Sequence, residues 1–221
     1  AGLGPRLRNV RFTEATRAVQ SDITQEIINA QQGQNRRAGN FFCKTETYFG
    51  QTQPVIETKA DSEGGSSEGC IINGRLAVLD ANAVTYYSIV SLRTPPDSVT
   101  CSNIKDDFAD IVRCYKPRIV QIGQEPTPLE KNYKSGLEAT QIDGMPFPLR
   151  FGYIQNPNGT SKHYFTHNND VFNFQLITKH DNRSEVLESE KSICLSLSSR
   201  STKLVFSPGS LQPQLKTEGC R

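Results

Sequence analysis

The sequence predicts an α+β protein in which a long N-terminal amphipathic helix packs on an antiparallel β-sheet, with irregular loop insertions and disulfides. Three observations predict it. Apolar residues recur at three- and four-residue steps near the start of the chain. Short β-branched and aromatic runs separated by turn signals follow. Six widely spaced cysteines lie in that second part. A run of strands after one helix, without a βαβ alternation, is the pattern in which a helix covers one face of a sheet.

The helix is expected over residues 6–37. Phe12, Ala15, Val19, Ile23, Ile27 and Ala30 form one stripe, with Glu14, Arg17, Asp22, Gln25 and Glu26 off it; this is the 3.6-residue period of an amphipathic helix. Pro5 suits a first turn, where its missing N–H costs nothing. Gly33 and Arg36-Arg37 mark the end. Thirty-odd residues make roughly 45–50 Å of helix, more than a small domain spans, so part of it must project or pack on something outside the fold. Residues 1–5 carry no pattern and are set aside as a remnant. The rest, 6–221, is one globular domain with a β-rich head over 43–221.

Within the head, Ile71 to Leu79 and Val84 to Leu92 are apolar runs joined by Asp80-Ala81-Asn82-Ala83, a hairpin signal. Ser102 to Arg113 has the pattern of a short helix capped by Ser102 or Asn103. Lys116 to Pro148 is punctuated by five prolines and reads as irregular. Leu149 to Ile154, Phe172 to Thr178, Ser192 to Leu197 and Thr202 to Phe206 are strand candidates, and Asn156-Pro157-Asn158-Gly159 is a turn. The loops from Lys116 to Pro148 and from Gly152 to Asn169, with Tyr115, Tyr133, Phe147, Tyr153, Tyr164 and Phe165 in or beside them, are the expected recognition surface. The alternative for each aromatic is that it pins its loop to the core.

Composition narrows the function. The net charge of +2 is too small for a nucleic-acid-coating or polybasic membrane-binding protein. Cys43, Cys70, Cys101, Cys114, Cys194 and Cys220 include no CxxC pair, so they read as three disulfides formed in an oxidising compartment. Six cysteines allow fifteen connectivities; the expectation adopted is the sequential one, which closes the shortest loops. No apolar run reaches the ~18–20 residues that span a bilayer.

Motifs of chemistry are missing from the sequence. There is no nucleophile elbow or phosphate-binding glycine loop. His163 and His167 have the spacing of two zinc ligands on a helix, but Tyr164-Phe165-Thr166 between them favours a strand, and no third and fourth ligand follows. Asp106, Asp107 and Asp110, and separately Asn168, Asn169, Asp170 and Asn173, lack the order of a calcium loop. Six paired cysteines leave no thiol for catalysis. The expectation is no catalytic residue, no cofactor and no metal.

The stretch Arg8-Asn9-Val10-Arg11-Phe12-Thr13-Glu14-Ala15-Thr16-Arg17-Ala18-Val19-Gln20-Ser21-Asp22-Ile23 resembles the amphipathic half of the N-terminal helix of type IV pilins and pseudopilins. Cys70 to Leu79 followed by Val84-Thr85-Tyr86-Tyr87 resembles the first pilin hairpin, and Cys194 with Cys220 resembles the C-terminal disulfide loop. The resemblance covers about a third of the chain, and the prepilin peptidase site of that family is absent from it. It implies a minor pilin or pseudopilin without its transmembrane half-helix, with Phe12, Ala15, Val19, Ile23 and Ile27 as the assembly stripe. It further implies other pilin subunits and host-cell or surface ligands as partners, anchoring in the inner membrane before assembly, and a final place in a cell-surface filament. The competing reading is an unrelated secreted, disulfide-rich binding ectodomain.

Overall fold

The computed structural model describes residues 3–32, 41–58, 69–96, 101, 107–121, 129–142, 147–168, 184–210 and 212–220. The chain begins with α1 (Leu3–Gln31) and a hairpin of β1 (Phe41–Tyr48) and β2 (Gln51–Thr58). A longer hairpin follows, β3 (Cys70–Leu79) and β4 (Ala83–Leu92), then α2 (Phe108–Tyr115), β5 (Arg118–Gln121) and β6 (Leu129–Asn132). After a 3₁₀ turn at Lys134–Gly136 come β7 (Glu138–Thr140), β8 (Leu149–Gln155), β9 (Lys162–His167) and β10 (Ser184–Val186). The last elements are β11 (Lys191–Leu197), β12 (Arg200–Phe206) and β13 (Gln214–Lys216).

These strands form three antiparallel sheets among the described residues. β1 and β2 pair only with each other. A seven-stranded sheet runs β10-β9-β8-β3-β4-β5, with β6 continuing beyond β5 along the same edge of β4. A four-stranded sheet runs β13-β12-β11-β7. The architecture is therefore mostly β, which corrects the expected single sheet under one helix. The reason lies in β3 and β4. Leu76, Val78, Tyr87 and Ile89 form one cluster, while Ala77, Leu79, Val84 and Tyr86 belong to another. Successive strand side chains point to opposite faces, so this sheet is apolar on both and needs two covers.

α1 and the four-stranded sheet together cover the first face. Ala15, Val19, Ile23, Ile27 and Ala30 join Phe151 and Tyr153 of the large sheet and Ile193, Leu195, Leu204 and Phe206 of the small one. The Phe151 and Phe206 rings lie 4.3 Å apart, centre to centre. α2 covers the opposite face through Phe108, Ile111 and Tyr115, and the Phe108 ring is 5.4 Å from that of Phe165. Asp107 caps α2 by accepting from the Asp110 N–H at 2.7 Å, in place of the expected Ser102 or Asn103. Gly152 makes room for the packed Phe165 ring, with which a Cβ there would collide.

Polar links fix α1 to both sheets. Arg75, in the apolar run of β3, donates from Nε to Glu26 Oε2 at 3.4 Å and from Nη1 to Ser88 Oγ at 2.8 Å. Both charged side chains are 2% exposed or less. Burial lowers the Arg75 pKa, and the charge of Glu26 opposes that shift. Lys131 Nζ reaches Asp22 at 2.9 Å, and Gln20 donates to the Pro213 carbonyl at 2.7 Å. A register shift between Ile72 and Gly74 sets Asn73 apart. Its buried amide donates to the Gln155 carbonyl and accepts from Ser91.

The disulfides join sequential pairs, Cys43–Cys70, Cys101–Cys114 and Cys194–Cys220, with Cα–Cα distances of 5.4, 5.8 and 5.6 Å. They tie β1 to β3, the segment before α2 to α2 itself, and β11 to the segment after β13. Such bridges form in an oxidising compartment, as in secreted and extracellular proteins.

Candidate functional site

α1 changes character along its length. Ala15 and the stripe residues after it are 1–4% exposed and spent inside the chain, and Phe12 is half-buried against the same core. Toward the N-terminus, Leu7 and Val10 are 56% and 52% exposed. They sit three residues apart, hence on one helix face, with Arg6, Arg8 and Arg11 exposed around them. Of the five expected assembly residues, Ala15, Val19, Ile23 and Ile27 are core. The apolar face open to a neighbour is made instead by Leu7 and Val10. The expected residues 33–37 of the helix lie outside the described residues.

Two recesses flank this free end. One, of about 690 Å³, is lined by Phe12, Ser201, Thr202, Thr217 and Cys220 among others. The other, of about 210 Å³, lies between Arg8 and Arg11 of α1, Ser135 of the 3₁₀ turn, and Ser198 and Arg200 of the β11–β12 turn. Hydroxyls and guanidinium groups dominate both. Among the described residues, no histidine, carboxylate or free thiol lines either one.

A second exposed feature stands at the β1–β2 hairpin. Cys43 and Pro54 are buried at its base, whereas Thr45 through Gln51 are all exposed. The arm closes in a two-residue loop, Phe49-Gly50, between the paired residues Tyr48 and Gln51. Both loop residues have positive φ, 48° and 74°, as a type I′ turn requires. Glycine adopts that conformation freely; a phenylalanine there costs about 1–2 kcal/mol. Phe49 is nevertheless 91% exposed and Tyr48 65%, with their rings edge to face at 4.6 Å. An exposed aromatic in strained backbone is a pointer to function, since the fold gains nothing from it.

The other candidates disperse. His163 and His167 lie on one strand, where a four-residue step is about 13 Å, too far for one metal ion. His163 Nε2 lies 3.3 Å from Ser161 Oγ, and buried His167 Nδ1 lies 2.8 Å from Ser184 Oγ. Asp107 is a cap, and Asp110 pairs with Arg113 at 2.7 Å. Among the described residues no three His, Cys, Asp or Glu side chains converge as metal ligands. His180, Asp106, Asn169, Asp170 and Asn173 fall outside the described residues, as does the strand expected over Phe172 to Thr178.

The expected recognition loops are corrected as well. β5, β6, the 3₁₀ turn and β7 occupy much of Lys116 to Pro148, and β8 and β9 much of Gly152 to Asn169. Tyr115, Tyr133, Tyr153, Tyr164 and Phe165 are buried, and Phe147 is half-buried against the main core. They pin these segments to the core. The tip at Tyr48-Phe49 was missed, because Phe49-Gly50 is not one of the Asn-Gly, Asp-Gly or Gly-first pairs that mark a two-residue hairpin.

Comparison of the chain with protein-family models, with curated proteins and with solved structures gives no match in any of the three. Among the described residues, no helix is long and apolar enough to cross a membrane.

Proposed function

We propose that the chain is a non-catalytic structural subunit of an extracellular filament of the type IV pilus kind, joined to its neighbours through the free end of α1. The observation that carries this reading is the division of α1. Its C-terminal two-thirds pack on the large sheet beside β13 of the small one, while Leu7 and Val10 leave more than half of their surface exposed. An aliphatic face left half exposed is stabilised by a partner that covers it: full burial from full exposure is worth about 1.5–3 kcal/mol per side chain, of which roughly half remains to be gained here. The closed bridge from Cys194 to Cys220 fits the same reading, and so does secretion.

The test is Leu7→Arg/Val10→Arg, which touches no core residue. In cells producing the protein, immunogold label is expected along surface filaments. The double variant is expected in the secreted fraction with intact disulfides and without filament label. Wild-type label confined to the cell body or the medium would refute the assembly role.

A further inference from the structure

We infer that the two recesses at the free end of α1 form one binding site for an acidic carbohydrate, a sugar carrying a sulfate or phosphate monoester, with the ester held among Arg8, Arg11 and Arg200. This goes beyond the filament reading and does not depend on it. The charge comes first. Arg8 and Arg11 stand three residues apart on α1, hence side by side, and Arg200 lines the same smaller recess from the β11–β12 turn. All three are exposed, and among the described residues none of them forms an ion pair. Arginines elsewhere in the chain have a carboxylate at hand, as Arg75 has Glu26 and Arg113 has Asp110. Here like charges are gathered against their mutual repulsion, which a bound anion relieves.

Ser135, Ser198 and Ser199 line the recess with them. Ser135 and Ser198 have φ of 61° and 58°, a left-handed backbone that glycine adopts without the clash a Cβ makes. They are two of the four non-glycine residues described with positive φ, and both stand at this one recess. A hydroxyl side chain kept where the turn favours glycine points to a ligand. The donors identify the anion. One guanidinium fork satisfies the two oxygens of a planar carboxylate. Three guanidinium groups from two elements, with serines from a third, exceed that need. They match the three terminal oxygens of a tetrahedral monoester, whose fourth oxygen carries the sugar. The larger recess, of about 690 Å³, shares Ser199 and Arg200 with the smaller one and has room for the ring. Phe12 offers an apolar face for its C–H groups, and Ser201, Thr202 and Thr217 offer hydroxyls. Thr202 donates to the Lys216 carbonyl at 2.7 Å, and the Cys194–Cys220 bridge closes the same wall, so little ordering remains to oppose binding.

The test is isothermal titration calorimetry of the purified, oxidised chain in about 0.1 M chloride. The probes are galactose, galacturonate, galactose 6-sulfate and galactose 6-phosphate. At least one ester is expected to bind about tenfold or more tighter than galactose and galacturonate, and the tighter ester names the source of the group. Arg200→Gln, which stands in both recesses, is expected to weaken that binding about tenfold or more, and Arg8→Gln/Arg11→Gln likewise, because each loses charge-assisted hydrogen bonds. Arg17→Gln removes the same charge from an exposed position of α1 outside both recesses, and is expected to bind within about twofold of wild type because salt screens it. Circular dichroism checks that each variant keeps the fold. The inference is overturned if neither ester binds better than galactose, if galacturonate binds as the esters do, or if Arg200→Gln binds as wild type does. Equal losses from Arg17→Gln and Arg200→Gln would also overturn it, since net charge alone would then be the attractor.

Discussion

Replace Arg75 by methionine, and the Glu26 carboxylate stays 1% exposed in the seam between α1 and the large sheet, without the guanidinium that neutralises it. Asn29 donates to Glu26 Oε1 at 3.5 Å, a neutral contact that does not replace the lost opposite charge. Breaking a buried ion pair from one side costs about 3–5 kcal/mol, whereas replacing both members by apolar groups of similar volume is often neutral. Arg75→Met and Glu26→Leu are therefore each expected to cost about 3–5 kcal/mol. The double variant should cost about 1 kcal/mol, the residue being the Ser88 hydroxyl deprived of its 2.8 Å donor. Adding Ser88→Ala should recover most of that. Urea unfolding followed by far-ultraviolet circular dichroism, with disulfides intact, reads all four values. Single variants costing below about 1 kcal/mol, or a double variant costing the sum of the singles, would show that the pair does not hold α1 to the sheet as argued.

Two further predictions concern the core. Gly152→Ala places a methyl group into the Phe165 ring and is expected to cost about 1–3 kcal/mol by overpacking; a second change, Phe165→Leu, should cost less in that background than in wild type, and equal costs would refute the steric account. In alkali, burial raises the pKa of Tyr87, Tyr133, Tyr153 and Tyr164, that of Tyr153 to about 12. Folded values above the unfolded value near 10 mean that the folded chain retains protons the unfolded chain has lost. Their contribution to stability is complete below about pH 10 and disappears as pH rises through the folded values. A stopped-flow pH jump should show these phenols ionising together with loss of the circular dichroism signal; ionisation near pH 10 with the fold retained would count against it.

The stripe from Ala15 to Ala30 and the hairpin over Ile71 to Leu92 were legible because each repeats a single period over many residues. Of the small sheet, β11 and β12 were legible as the runs Ser192 to Leu197 and Thr202 to Phe206, and its two outer strands were not. β7 and β13 have three residues each, too few to show alternation, and proline punctuation masked β5 and β6. Arg75 was hidden for another reason: a charge in an apolar run looks like the solvent side of a strand until its partner, 49 residues away, is seen. Of the two readings open for the aromatics the structure shows the core-pinning one: strand pairing turns Tyr153, Tyr164 and Phe165 inward, and Tyr115 is buried from α2. At the candidate site, the sequence held Leu7 and Val10 within the right helix, but only packing separates the part of a stripe that is buried from the part left over.

The three bridges also limit how far the molecule can be drawn out under tension. A pull along α1 loads its contacts with β3, β4, β8 and β13 together, in shear, so they resist as a group and do not unzip one by one. If the body does give way, the segments closed by the bridges, with sequence separations of 27, 13 and 26 residues, remain knotted off. At about 3.3–3.6 Å per residue they withhold roughly 200 Å of contour from extension. An oxidised chain stretched from end to end would therefore reach its limit well short of the reduced one.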